Sequence, residues 1–219
     1  MTELQIKHHL TDEILLGYST GTLPEAFDLL VATHVSMCDA CRAAVEAFDA
    51  MGGALIEDDS LLDDVAALSD ESLAATLALI ETLPEDITSH RKPGTLPGPV
   101  QDYVGGDLEA VKWRPVGMGV KQAILKTTKD ATARLLFIPK GGEVPQHSHN
   151  GLELTLVLKG AFSDEEGHFG PGDVEIADGS TLHTPVADPS EDCICLAVTD
   201  ASLKFQSLLP RLMQPFIRI

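Results

Sequence analysis

The sequence predicts an α+β protein of two domains: a small bundle of about four helices over residues 1–84, and a β-barrel over residues 101–219. Three observations carry this. Apolar residues recur at helical spacing before residue 84. Short runs rich in β-branched residues, separated by Gly and Pro turns, fill the chain after Tyr103. Between them, residues 85–100 read EDITSHRKPGTLPGPV, and Pro93, Pro97 and Pro99 with Gly94 and Gly98 predict a linker without regular structure.

The helices can be placed one by one. Thr11 or Asp12 can N-cap a short helix carrying Ile14, Leu15 and Tyr18, and Gly21 stops it. Pro24 stands at the N1 position of a second, with Glu25 in its first turn and Phe27, Leu30, Val31 and His34 following. A third runs from about Asp39 through Val45, Phe48 and Met51 to the Gly52-Gly53 pair. An acidic loop holds Glu57, Asp58, Asp59, Asp63 and Asp64. Ser69 to Ser72 open a fourth helix with Leu73, Leu77 and Ile80 on one stripe, and Pro84 ends it. His90 falls in the linker as a solvated loop residue.

In the second half the strand candidates are VKWRPV, VKQAILKT, ARLLFIP, LELTLVLKG, DVEIAD and CICLAVTD. Regular spacing with Gly-rich turns suggests a sandwich or small barrel. The tail LKFQSLLPRLMQPFIRI is apolar enough to pack on the barrel or to serve an interface.

Composition excludes several classes. No run of about 18 apolar residues exists to span a membrane. No apolar segment follows a basic start, so the expected compartment is the cytoplasm. The net charge is −19 and unevenly spread. Residues 1–86 hold 18 acidic residues against Lys7 and Arg42, a net of −16, whereas the remainder carries −3. Phosphate backbones repel such a surface, which argues against direct nucleic-acid binding. Acidic residues can simply keep a domain soluble. Their concentration in one half points instead to a basic partner.

Two constellations carry metal chemistry. His147 and His149 are one residue apart, so on a strand both imidazoles point to one face. Glu153 opens the next strand, and His183 is the natural fourth ligand from a later one. Three imidazoles and a carboxylate suit Zn, Fe, Mn or Ni. Gly141, His147, His149, Glu153 and Gly160 fit every position of the first motif of the cupin family, which this half resembles. Gly170-Pro171-Gly172-Asp173 and His183 resemble the second, with Ala187 where that motif often has Asn. His168 lies outside the ligand position and reads as a loop residue. Cys193 and Cys195 share one face of a strand, as small buried residues or as a redox accessory to the metal.

The other constellation is His34-x3-Cys38-x2-Cys41. Cysteines opening a helix after a tight turn can place both sulfurs on one ion. His8 or His9 could supply the missing ligand. Such a site would staple three helices of a bundle too small to be stable on its core alone. A thioredoxin-like role for Cys-x-x-Cys needs a βαβ setting, and these surroundings are helical.

An N-terminal His followed by H-x3-C-x2-C resembles the zinc-binding anti-sigma family. Joined to a cupin, the chain resembles its ChrR-type branch. HHLTDEILLGYSTGTLPEAF, VATHVSMCDACRA, HSHNGLELTLVLKGAF, DCICLA and LLPRLMQPFIRI carry that likeness. The resemblance implies that His9, His34, Cys38 and Cys41 hold a structural zinc. It implies that His147, His149, Glu153 and His183 hold zinc or another divalent transition metal. It further implies a cytoplasmic regulator, not an enzyme. The acidic domain would bind an extracytoplasmic-function (group IV) sigma factor as a 1:1 heterodimer, and the cupin would sense singlet oxygen or related oxidants. A metal-dependent cupin enzyme of dioxygenase type, with an accessory helical domain, is the alternative.

Overall fold

The computed structural model describes residues 5–57, 69–82 and 93–205. The expected acidic loop from Asp58 onward, the stop at Pro84, His90 and the tail beyond Phe205 lie outside the described residues.

Five α-helices are present among the described residues: α1 (Asp12–Ser19), α2 (Glu25–Val35), α3 (Asp39–Ile56), α4 (Asp70–Glu81) and α5 (Gly98–Val104). Thr11 caps α1 by accepting from the Ile14 amide, and Ser69 caps α4 by accepting from the Ser72 amide. Gly21 takes φ +64° just past α1, the left-handed geometry expected of a helix stop. Two expectations fail. The Gly52-Gly53 pair does not end α3, which continues to Ile56. A Cβ at either glycine would meet open space, so each sits on an exposed turn and costs only about 1 kcal/mol of propensity. The linker, expected to be irregular throughout, ends in α5. Pro97 caps that helix and Pro99 occupies its first turn, where no amide donor is needed.

A 3-10 turn, Leu108–Ala110, leads to twelve strands among the described residues. The run VKWRPV therefore pairs only from Arg114 onward. The main sheet is antiparallel, in the order β1 (Arg114–Gly117), β2 (Val120–Ile124), β3 (Thr132–Ile138), β11 (Cys193–Thr199), β5 (Glu153–Lys159), β8 (Val174–Ala177). A second sheet sets β6 (Phe162–Ser163) between β10 (Val186–Ala187) and β7 (His168–Phe169). The third sets β4 (His147–His149) between β12 (Leu203–Phe205) and β9 (Leu182–His183).

The middle strands of the main sheet are buried on both faces. On β5, Leu154, Leu156 and Leu158 belong to one apolar cluster, while Val157 faces another. On β11, Ile194, Leu196 and Val198 join the first cluster, and Cys193 and Cys195 the second. Residues alternate between faces of a strand, so a strand covered on both sides reads as an unbroken apolar run. The first cluster also contains Phe27, Leu30 and Val31 of α2, Cys38 and Cys41, and Leu96 and Val100. One core therefore joins helices α1–α3 and α5 to the outer face of the sheet. Glu25 adds polar ties, accepting from the Tyr103 hydroxyl at 2.8 Å and the Thr128 amide at 2.6 Å. No helix among the described residues is long and apolar enough to cross a membrane.

Leu30 is fully buried in that shared core. Leu30→Ala is expected to cost about 2–5 kcal/mol of stability. The loss should appear in the unfolding curve of Trp113, which packs against the same cluster from the barrel side. A Trp113 transition unmoved by the substitution would mean that the helices and the sheet do not share one core.

Candidate metal centres

The N-terminal cluster is built where three segments meet. α2 ends just after His34, which is fully buried. Cys38 N-caps α3, its sulfur accepting from the Cys41 amide at 3.5 Å, so Cys-x-x-Cys opens a helix as its spacing suggests. His9 approaches from the extended segment before α1, with Nδ1 3.3 Å from Cys38 Sγ and 3.5 Å from Cys41 Sγ. One donor atom from each of His9, His34, Cys38 and Cys41 lies within 4.8 Å of every other. His8 points elsewhere. Its ring lies against Phe169, with Nδ1 3.6 Å from Asp173.

The chemistry of these four fits a tetrahedral ion. His34 Nδ1 lies 2.9 Å from the Gly172 carbonyl, which can only accept, so Nδ1 carries the proton and Nε2 the lone pair. That Nε2 is buried without a hydrogen-bond partner. Burial holds the His34 pKa down to about 4, keeping the ring neutral. Burial pushes the Cys41 thiol up to about 11. A bound cation would reverse that shift, because a coordinating thiol is deprotonated outright.

The second cluster lies inside the barrel. β4 carries His147 and His149, and β9 pairs His183 directly opposite His147. Their ring nitrogens converge: His183 Nε2 is 3.1 Å from His147 Nε2 and 3.2 Å from His149 Nε2. His147 donates from Nδ1 to the Pro145 carbonyl at 2.9 Å, which leaves its Nε2 lone pair facing inward. Burial lowers the pKa of His147 and of His149 to about 4. With the His183 ring neutral, lone pairs of all three imidazoles would meet here, an arrangement that suits a cation. Glu153 stands at the margin, its Oε2 3.7 Å from His149 Nδ1. Its carboxyl is buried and accepts from the Thr155 hydroxyl at 3.4 Å. Burial raises its pKa against the opposing charge of Arg134.

Three partners of this cluster escaped the sequence reading. His183 Nδ1 lies 2.7 Å from Glu175 and 2.8 Å from Asp164. Burial lowers the His183 pKa, but the hydrogen bonds and charges of these carboxylates outweigh it and hold the ring up at about 9. Burial in turn drives Glu175 to about 8. Arg134, on β3, is buried and donates to Gln122 at 3.2 Å. In DVEIAD the acidic Glu175 points inward while Ile176 is exposed, the reverse of what the strand's alternation suggests from sequence.

A cavity of about 390 Å³ opens on this cluster. His147, Glu153, Glu175, His183, Arg134 and Cys195 line it among apolar side chains. Cys193 and Cys195 face inward with their sulfurs 3.4 Å apart. The hydrogen bond to Cys193, reinforced by burial, pushes the Cys195 thiol well above its ordinary range, so little thiolate forms without a cation. His168, expected in a loop, lies on the short strand β7 with its side chain exposed.

Comparison with known proteins places this geometry. Residues 101–202 match the ChrR cupin-like domain family. The anti-sigma-E factor ChrR of Cereibacter sphaeroides is 53% identical over 217 residues, covering 99% of this chain and 100% of that protein. The chain belongs to the ChrR family of anti-sigma factors. A crystal structure of Rhodobacter sphaeroides SigE in complex with the anti-sigma ChrR aligns with a TM-score of 0.78 and 52% identity, over 90% of this chain and all of the matched one. Helices followed by a cupin-like barrel are therefore the architecture of this ChrR family member.

Metal content should follow the two clusters separately. His9→Ala and Cys41→Ser are each expected to remove one ion per chain, and His183→Ala the other. His8→Ala should keep both. Elemental analysis of the purified variants checks this. Loss of an ion in His8→Ala with retention in His9→Ala would reverse the assignment.

Proposed function

We propose that this chain holds an extracytoplasmic-function sigma factor in an inactive 1:1 complex and frees it in response to singlet oxygen or related oxidants. The observation that carries the reading is an uncovered apolar surface on an acidic unit. Among the described residues α4 buries no side chain, and Leu73, Leu77 and Ile80 line one stripe of it in the open. Met51, Leu55 and Ile56 are equally exposed at the end of α3. Amphipathic helices bury such faces against a partner. The net of −16 over residues 1–86 favours a basic one. The similar ChrR is a protein seen in complex with SigE. An inhibitor of this kind works in the cytoplasm, where RNA polymerase is.

His9, His34, Cys38 and Cys41 would hold zinc as a structural ion, fixing the start of α1, the end of α2 and the start of α3 in one geometry. His147, His149, Glu153 and His183 would hold zinc or a similar divalent metal as the sensor. When bound, that metal supplies Lewis acidity beside the cavity. Glu175 and Asp164 fix the His183 ring, and Arg134 balances the Glu153 charge. Cys193 and Cys195 would serve as a redox accessory, with the high thiol pKa of Cys195 as a brake on casual oxidation.

The cavity gives a second reading a specific footing, because a small molecule could reach the His147 and His183 side of it. A metal-dependent oxygenase would consume O2 with a small substrate, whereas a sensor turns nothing over. Oxygen uptake by the metal-loaded chain separates the two.

Leu77→Asp should weaken sigma-factor binding about tenfold or more, since it places a charge in a desolvated contact. Cys38→Ser should abolish binding in a pull-down with the host's sigma factor. His147→Ala should leave repression in the dark intact and prevent release under a photosensitiser. Undiminished affinity in Leu77→Asp and Cys38→Ser would remove the proposed surface, and normal release in His147→Ala would remove the cupin as sensor.

A further inference from the structure

The N-terminal cluster does not stand on its helices alone. A single turn of the barrel, between β7 and β8, touches it at three points. The Gly172 carbonyl accepts from His34 Nδ1 at 2.9 Å. The Asp173 carboxylate accepts from the Lys7 amide at 2.6 Å and the His8 amide at 2.9 Å, the two residues leading into His9. The Val174 amide donates to the His8 carbonyl at 3.1 Å, so residues 7–8 lie along the free edge of the main sheet. The turn is shaped for this. Gly172 has φ +89°, and a Cβ there would fall 2.6 Å from the Ile6 side chain. The other oxygen of Asp173 accepts from the Gly170 amide at 2.9 Å and holds the turn closed.

We propose that Asp173, together with the Gly172 carbonyl, positions the ligands of the N-terminal metal site, making that site the joint property of both halves of the chain. Gly172 fixes the tautomer and direction of the His34 ring. Asp173 fixes the backbone that delivers His9. Residues that orient metal ligands in this way commonly change affinity 10–100-fold when removed. The inference rests on the reading of His9, His34, Cys38 and Cys41 as a metal site.

The same strand reaches the other cluster. Glu175, two residues beyond Asp173, accepts from His183 Nδ1. β8 thus grips one cluster through its leading turn and the other through its inward side chain. A disturbance at His183 has a route of four residues, Glu175 back to Gly172, to His34, independent of the segment joining the two halves in sequence.

The test uses the full chain loaded with Co(II), because thiolate-to-cobalt charge-transfer bands arise only where cysteines bind. Chelator competition followed on those bands gives the affinity of the N-terminal site. Asp173→Ala should weaken it roughly tenfold or more and alter the ligand-field envelope. Asp173→Asn, which keeps an oxygen for both amides, should recover most of the loss. Lys7→Pro removes one donor without touching the barrel and should move the bands in the same direction, which keeps the test decisive if Asp173→Ala folds poorly. Val120→Ala, in the interior cluster, should lower barrel stability and leave the bands alone. Wild-type affinity and spectrum in both Asp173→Ala and Lys7→Pro would overturn the inference, as would an equal loss in Val120→Ala. A wild-type chain with no thiolate band is a different result, which would sink the metal reading and this inference with it.

Discussion

Both candidate metal clusters of this molecule depend on the burial of one sheet face under one helix. Phe27, Leu30 and Val31 of α2 share one buried apolar cluster with Leu154 and Leu156 of β5 and with Leu196 and Val198 of β11. That contact leaves the sheet as a wall with chemistry on either side. Inside it, Glu153, Thr155 and Cys195 face the cavity. Outside it, α2 runs until its last turn presents His34 to the barrel turn at Gly172. Removing the apolar contact would cost the protein more than stability. It would separate the His34 ring from the carbonyl that orients it.

Much of the site was legible because metal chemistry imposes short spacings. His147 and His149 had to share a face once they lay on a strand, and Cys38 and Cys41 had to meet once they opened a helix. The choice between His8 and His9 was not decided by spacing. It depends on a contact 165 residues away, where Asp173 holds the His8 amide and Phe169 takes its ring. Asp164 and Glu175 were hidden for the same reason: an isolated acidic residue in a strand or loop looks solvated until a distant imidazole is seen beside it.

The fold was legible to a similar degree and for a similar reason. Strand and helix periods are local, so the elements could be read. What covers them is not local. The unbroken apolar run CICLAV is what burial on both faces produces, and without a second layer in view it looked simply like a barrel strand. The linker shows the opposite error. Pro97 and Pro99 were read as breakers, although proline just before and just inside a helix is compatible with starting one. The Gly52-Gly53 pair was read as a stop, but glycine ends a helix only where the backbone turns left-handed, as at Gly21.

The bare helix α4 has a thermodynamic consequence. Twelve residues with no buried side chain must hold their shape from local terms: the Ser69 cap, the acidic first turn of Asp70 and Glu71, and backbone propensity. Such a helix is marginal in water by itself. Any macromolecule that clasps it therefore draws on only the fraction of molecules in which it is wound, and its apparent dissociation constant is the intrinsic one divided by that fraction. The association should accordingly carry the large negative heat-capacity change of ordering and burial combined. Grip on such a partner would then be tunable on the outward side of α4, by residues that never touch it.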